Sequence, residues 1–334
     1  MNSRAGLSLR IGRLKAKANK SVYSPDRERV VYDRIAAQSR GPLSADALSA
    51  IYREIMSGCL ALEKPVKIAY MGPPASFSNI AALKKFGSSV KYAPVNSITE
   101  VFAEVEHGRC DYGVVPIENS IEGAVNYTLD MFMESDIKIC SEISIEVSHN
   151  LLAKCGIREI KKVYSHPQVF GQCRMWLESN LPHAELVEVS STTRAAEIAV
   201  KERGAAAIGS RLAADCYGLN VLASSIEDSS HNMTRFLVIG NVESRPTGRD
   251  KTSIMFSVRD KIGALHDMLV PFKRNRINLT KIESRPSKKK AWDYCFFVDM
   301  IGHHEEKKIK KALEGLESVC DNMKILGSYP ISNK

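Results

Sequence analysis

Gly113-Val114-Val115-Pro116-Ile117-Glu118-Asn119-Ser120-Ile121-Glu122-Gly123-Ala124-Val125 decides how this chain is read. An apolar run rises out of Asp111 and Tyr112, stops at Pro116, and empties into a polar turn of Glu118, Asn119 and Ser120. A buried strand delivers side chains and backbone N–H groups in this way to the carboxyl edge of an α/β sheet, where such folds bind small ligands.

Working outward, the rhythm repeats. Strands are expected at Val66–Met71, Lys162–Ser165, Leu186–Val189 and Ala206–Gly209, each followed by a helical pattern, and Ser97-Ile98-Thr99-Glu100 reads as a capping box. This β–α order predicts mainly parallel sheets with helices on both faces, in two lobes over residues 66–240. Residues 241–250, with Pro246 and Gly248, read as a linker. Residues 251–329 follow in the order βαββαβ, a ferredoxin-like unit. Residues 1–63 are expected to be helical, opened by Ser24-Pro25 and by Ser44 at two helix starts. The fold class is multidomain α/β: an N-terminal α-helical unit, a two-lobed α/β unit and a ferredoxin-like domain.

Composition narrows the function. The net charge of +9 comes without interleaved aromatics or a nucleic-acid-binding motif, so small polyanionic substrates are expected rather than nucleic acid. No apolar run is long enough for a membrane span. Eight cysteines without CxxC pairs predict reduced thiols in the cytoplasm rather than a disulfide framework. Residues 1–20 lack acids, as transit peptides do, but Leu7, Ile11, Leu14 and Ala18 keep helical spacing and favour a folded helix. Arg4 and Lys15 lie eleven residues apart and share a face with Ile11. Three helices in about sixty residues form a poor independent core, so association with another copy, as homodimer or homotetramer, is expected.

Val22 to Arg29, with Arg4 and Lys15 upstream, resembles the helical chorismate mutase module. The resemblance implies chorismate-binding positions at Arg4, Lys15, Arg27, Glu28, Cys59 and Glu63. It departs from the family at Ser24 and Cys59. It also implies a preceding helical segment with a further arginine, so an incomplete, N-terminally truncated module with impaired mutase activity is expected.

Four hydroxyl- and amide-rich turns stand between residues 66 and 240: Gly72 to Ser78, Glu118 to Ser120, Ser190 to Thr192, and Asn232 to Phe236. Each taken singly is a helix cap. Together they offer N–H and hydroxyl groups to a small anion. There is no Walker lysine motif, dinucleotide fingerprint or metal cluster in the sequence, so no cofactor is expected. His166, before Pro167, reads as structural.

These turns, with Tyr164-Ser165-His166-Pro167-Gln168 and Thr234-Arg235-Phe236, resemble prephenate dehydratase in order and spacing. The resemblance implies two lobes of the periplasmic-binding type with prephenate in the cleft. Losing CO2 and the ring hydroxyl makes prephenate aromatic, so the site need only orient it and protonate a leaving oxygen. Thr234 is assigned as that donor. Ser76, Ser78, Asn119, Ser120, Ser191, Thr192 and Arg235 are assigned to substrate binding. Glu118 and Phe236 are assigned to bracing, Glu118 by pairing with Arg235.

Gly263-Ala264-Leu265-His266 and Glu283-Ser284-Arg285-Pro286 resemble the regulatory ACT domain, which implies L-phenylalanine as effector at residues 263–266 and 283–285. The whole order resembles the bifunctional chorismate mutase/prephenate dehydratase family. A non-catalytic ligand sensor on the same architecture is the alternative, against which Thr234 and Arg235 stand.

Overall fold

The computed structural model describes residues 2–18, 22–229, 231–258, 262–286 and 294–332. Three helices open the chain, α1 (Asn2–Lys17), α2 (Pro25–Gln38) and α3 (Ala45–Glu63). Pro25 sits at the start of α2, where its missing N–H costs nothing. Ser24, expected to cap α2, instead donates to Asp26 Oδ1 at 2.6 Å. Ser44 caps α3 by accepting from the Ala47 N–H. The small residues of this unit make its contacts: a Cβ on Gly12 would lie 2.5 Å from the Glu63 carbonyl oxygen. Leu7, Ile11 and Leu14 are 55%, 42% and 66% exposed, so the apolar stripe of α1 is uncovered within one chain.

The first lobe comprises β1 (Lys67–Met71), α4 (Phe77–Phe86), β2 (Lys91–Val95), α5 (Ile98–Glu106), β3 (Tyr112–Asn119), β4 (Gly123–Ala124), α6 (Asn126–Glu134) and β5 (Lys138–Glu146). The chain then builds the second lobe: β6 (Asn150–Ala153), β7 (Lys162–Ser165), α7 (Pro167–Gln172), α8 (Arg174–Asn180), β8 (Glu185–Glu188), α9 (Thr192–Lys201), β9 (Ala205–Gly209), α10 (Arg211–Tyr217) and β10 (Asn220–Ala223). It returns to the first lobe as β11 (Met233–Gly240), which inserts between β3 and β5 in the order β2-β1-β3-β11-β5. Two crossovers therefore join the lobes. The expectation of mainly parallel sheets is corrected. β1, β2 and β3 pair in parallel, but β11 is antiparallel to both neighbours, and β6 is antiparallel to β9 and β10. A strand returning from another lobe enters from the opposite end, which a βα rhythm does not disclose.

The opening stretch differs in one respect from its reading. β3 runs through Pro116 to Asn119 rather than ending there. Its ladder to β1 stops at Val114, and the register to β11 shifts at Phe236–Pro116, so the proline lies at a bulge past its neighbour's end.

The last domain is an antiparallel sheet of β12 (Asp250–Val258), β13 (Leu279–Pro286), β14 (Tyr294–Ile301) and β15 (Asn322–Pro330), in the order β13-β14-β12-β15, with α11 (Ala264–Arg274) and α12 (Lys307–Glu317). It is not held by a tether alone. Cys295, Phe297, Leu326 and Tyr329 join the same core as Val101, Phe102, Leu129 and Phe132 of the first lobe. Lys138 Nζ donates to the Ile325 carbonyl at 2.8 Å. Arg29 of α2 donates to the Ile331 carbonyl at 3.0 Å.

Where β15 meets β5, a Cβ on Gly327 would stand 2.2 Å from the Ile139 carbonyl oxygen. Only a glycine admits backbone so near. Gly327→Val should therefore lower the stability of the domain contact by about 1–3 kcal/mol or more, read as a drop in Tm. An unchanged Tm would show that this approach is not required.

Candidate functional site

The turn after β3 organises the site because its residues bond in three directions. Asn119 Oδ1 accepts from the N–H groups of Ile121 and Glu122 at 2.9 and 3.1 Å, which fixes the amide orientation. Asn119 Nδ2 consequently points across the ladder, donating to Thr234 Oγ1 at 2.8 Å and to Asn232 Oδ1 at 2.7 Å. Register makes this contact: Thr234 is the ladder partner of Asn119, one step beyond the Arg235–Glu118 pair. Ser120 Oγ accepts from the Met233 N–H at 2.9 Å and donates to the His231 carbonyl at 2.8 Å.

A polar chain continues into the second lobe. Asn232 Nδ2 donates to Gln172 Oε1 at 3.2 Å, and Gln172 and Gln168 of α7 both donate to the Glu122 carboxylate, at 2.9 and 3.1 Å. These residues border an interlobe cavity of about 490 Å³. His149 Nε2 also meets Gln172 Oε1 at 2.8 Å, and burial lowers its pKa, favouring the neutral ring. Sequence reasoning missed Gln172 and Glu122. Gln172 lies outside the motifs, Glu122 lies within the opening stretch but carries no local sign of its partner, and only the approach of the lobes pairs them.

The other predicted substrate residues sit differently. Ser76 accepts from the Asn79 N–H as the cap of α4, and Ser191 accepts from the Arg194 N–H as the cap of α9. Ser78 is buried in α4, and Thr192 opens α9. The turn before Ser76 reaches the second lobe, where Ser210 Oγ donates to the Ala75 carbonyl at 3.0 Å. His166 caps α7, accepting from the Gln168 N–H. Phe236 is 2% exposed within the first-lobe core.

Arg235 points to the opposite side of Thr234, into a cluster of charges. Its guanidinium lies 2.9 Å from Glu118, 2.8 Å from Glu142 and 2.7 Å from Asp299, and donates to the Tyr329 hydroxyl at 3.0 Å. Lys251 reaches Glu142 at 2.8 Å, and Lys281 reaches Glu118 at 2.6 Å. Burial would weaken the charge on Arg235, but Tyr329, Asp299 and Glu142 around it outweigh burial and raise its pKa. Burial alone would push Glu118 up; Lys281 and then Arg235 overcome this and hold its carboxyl below the usual range. Glu118 thus braces Arg235, and Arg235 grips structural acids. A cavity of about 400 Å³ beside the cluster is lined by Asn119, Ser120, Met233, Lys281 and Glu283 among others.

The six residues assigned to chorismate all line one cavity of about 340 Å³ between the helices and α4: Arg4, Lys15, Arg27, Glu28, Cys59 and Glu63. Lys15 pairs with Glu63 at 2.7 Å. Glu28 accepts from Tyr23 at 3.0 Å and pairs with Lys85 of α4 at 2.7 Å. The residues of the ACT motifs separate within the chain. Gly263, Leu265 and His266 are exposed at the start of α11 and Ala264 is half-buried there, whereas Glu283 and Arg285 face the first lobe. Arg285 is bound to Asp130 of α6 at 2.9 Å. Ser284 points to solvent.

The family model described as prephenate dehydratase matches residues 68–244, chorismate mutase type II matches 1–64, and the ACT domain matches 252–318. The bifunctional chorismate mutase/prephenate dehydratase of Aquifex aeolicus is 53% identical over 99% of this chain and 92% of its own length. The chain belongs to the bifunctional chorismate mutase/prephenate dehydratase family. The match over residues 1–64 overturns the expectation of a truncated mutase module: that domain is present. Among solved structures, the prephenate dehydratase of Arthrobacter aurescens in complex with L-Phe superposes with a TM-score of 0.75 at 32% identity, over 80% of this chain and 90% of its own. A protein described as a novel type of quorum quenching acylase gives 0.73 at 26%, over 80% and 98%. No helix among the described residues is long and apolar enough to cross a membrane.

The lowered pKa of Glu118 has a definite sign. Its charge contributes stability above the ordinary carboxylate range, and the contribution is lost as pH falls through the lowered native value. Melting curves of the wild type and Glu118→Gln should therefore converge below about pH 4. A separation that stays constant down to about pH 3.5 would show that the charge is immaterial.

Proposed function

We propose that the dehydratase unit converts prephenate to phenylpyruvate with Thr234 as the proton donor. The bond from the ring to its carboxylate breaks, its electrons complete the aromatic ring, and the ring hydroxyl departs as water with the donated proton. The observation that carries this reading is the Asn119–Thr234 bond. Asn119 donates to Oγ1, so the hydroxyl hydrogen is directed away from Asn119 and toward another acceptor. Asn119, Ser120, Ser76, Ser78, Ser191 and Thr192 orient the substrate through hydroxyls, amides and the N-termini of α4 and α9. Arg235 supports this wall from behind rather than binding the substrate, because its guanidinium is already surrounded by acids.

The helical cavity is proposed to take chorismate, with Arg4, Lys15 and Arg27 toward its carboxylates and Cys59, Glu28 and Glu63 around the ring. The exposed stripe of Leu7, Ile11 and Leu14 is proposed to be covered by a second copy of the chain. L-phenylalanine is the proposed effector, held between residues 263–266 of one ACT domain and residues 283–285 of another.

Thr234→Ala should reduce dehydratase kcat by about 10²–10⁴ with modest change in KM. Loss confined to KM would assign Thr234 to binding. Leu14→Lys should shift the sedimenting species toward monomer at micromolar concentration; an unchanged mass would place the contact between copies elsewhere. The two reactions separate in one preparation supplied with chorismate or prephenate, and millimolar L-phenylalanine should slow the second.

A further inference from the structure

Three features of the cluster around Arg235 bear on the reaction beyond the residues already assigned. Its charges come from two domains. Glu118, Glu142 and Arg235 belong to the first lobe, whereas Asp299, Lys251 and Lys281 belong to the ACT sheet. The lobe contributes a net −1 and the ACT sheet a net +1, so the cluster is neutral only when both are present. Lys281 is 10% exposed at its side chain and its ammonium is 2.6 Å from Glu118.

The second feature is sequence adjacency. Glu118 immediately precedes Asn119, and Arg235 immediately follows Thr234, so the charged ladder pair abuts the pair that carries the proposed proton donor. The third is the bulge beside them. The register between β3 and β11 shifts between Arg235 and Phe236, which leaves Ile117 without a ladder partner on β11 and sets the Glu118–Arg235 and Asn119–Thr234 pairs together on one side of the bulge.

We propose that Lys281, a residue of the ACT domain, is a positioning residue of the dehydratase site: by neutralising Glu118 it holds Glu118 on Arg235, and through that pair it sets Asn119 against Thr234. Without the ammonium, three carboxylates share Arg235 and Lys251. Glu118 then leaves the pair or takes up a proton. In the first case the turn after β3 loses its anchor; in the second the cluster regains neutrality. Arg285 works beside Lys281 on the same face of β13, clamping Asp130 and keeping the strand on the lobe. The strand is thus both an edge of the ACT sheet and a wall of the cavity beside Asn119 and Ser120.

The inference rests on the dehydratase reading above, and the full-length chain tests both. Lys281→Met should lower kcat on prephenate by about threefold to thirtyfold at neutral pH with KM little altered, while Lys281→Arg stays close to wild type. Adding Glu118→Gln to Lys281→Met should recover activity at neutral pH, because it removes the carboxylate left without its cation. A loss confined to KM, an arginine variant as impaired as the methionine one, or a double variant no more active than Lys281→Met would overturn the proposal. A wild-type chain that leaves prephenate unchanged would instead overturn the dehydratase reading itself.

Discussion

The placement of Arg235 governs much of the rest of the molecule. Taking six charges out of water costs several kcal/mol for each ion, and their attraction offsets this only if every charge meets its partner. Three carboxylates and three cations do so here, with Tyr329 supplying an acceptor for the guanidinium. Burial and then Asp299 push the Tyr329 phenol well up, so it stays protonated and adds no fourth negative charge. Removing a deeply buried partner such as Lys251 leaves the Glu142 carboxylate less compensated, a loss of about 3–5 kcal/mol in comparable systems, whereas Glu118, with its side chain 34% exposed, is partly screened by solvent. An apolar replacement of the whole cluster could be as stable, so its effect is on geometry: it admits one docking register of the ACT sheet on the lobe. The close approach at Gly327 and the shared core of Phe297, Leu326 and Tyr329 enforce the same register by packing.

Much of this was legible in the sequence where a feature is local. Periodicity places the helices of residues 1–63 and most strands to within a few residues, and the βαββαβ order of the last domain is plain. Glu118 and Arg235 can be paired on charge alone, because a second carboxylate facing a dicarboxylate substrate would repel it. Other features depend on partners remote in sequence. Glu142 lies in the alternation Ile139, Ser141, Ile143, Ile145 and reads as a solvent-facing residue, yet it is 5% exposed because the ACT sheet covers that face. Lys281 resembles any strand-edge lysine until Glu118 is seen opposite. The antiparallel entry of β11 depends on which lobe the chain has just left. For the mutase module, the family match over residues 1–64 shows the domain to be present.

The two proposed dehydratase walls are built to different standards. The Asn119–Asn232–Thr234 side is fixed by hydrogen bonds at both ends, with Asn119 held by two backbone N–H groups. The opposite side is made of helix caps and of glutamines reaching Glu122 across the lobes. Fixed donors belong where charge develops during reaction. The helical unit shares this economy of parts: Tyr23 packs 5.1 Å from both Phe86 and Tyr112, so the mutase-like cavity and the first-lobe core have a residue in common.

The position of β11 also bears on synthesis. It is the central partner of β3 and β5, yet it leaves the ribosome after the whole second lobe. Until residue 240 has emerged, the first lobe has an open slot with unpaired backbone on both sides. The second lobe, contiguous in sequence, can close by itself during that interval. Nascent chains halted before β11 therefore expose two facing strand edges, the kind of surface that chaperones shield and that other chains join by strand addition.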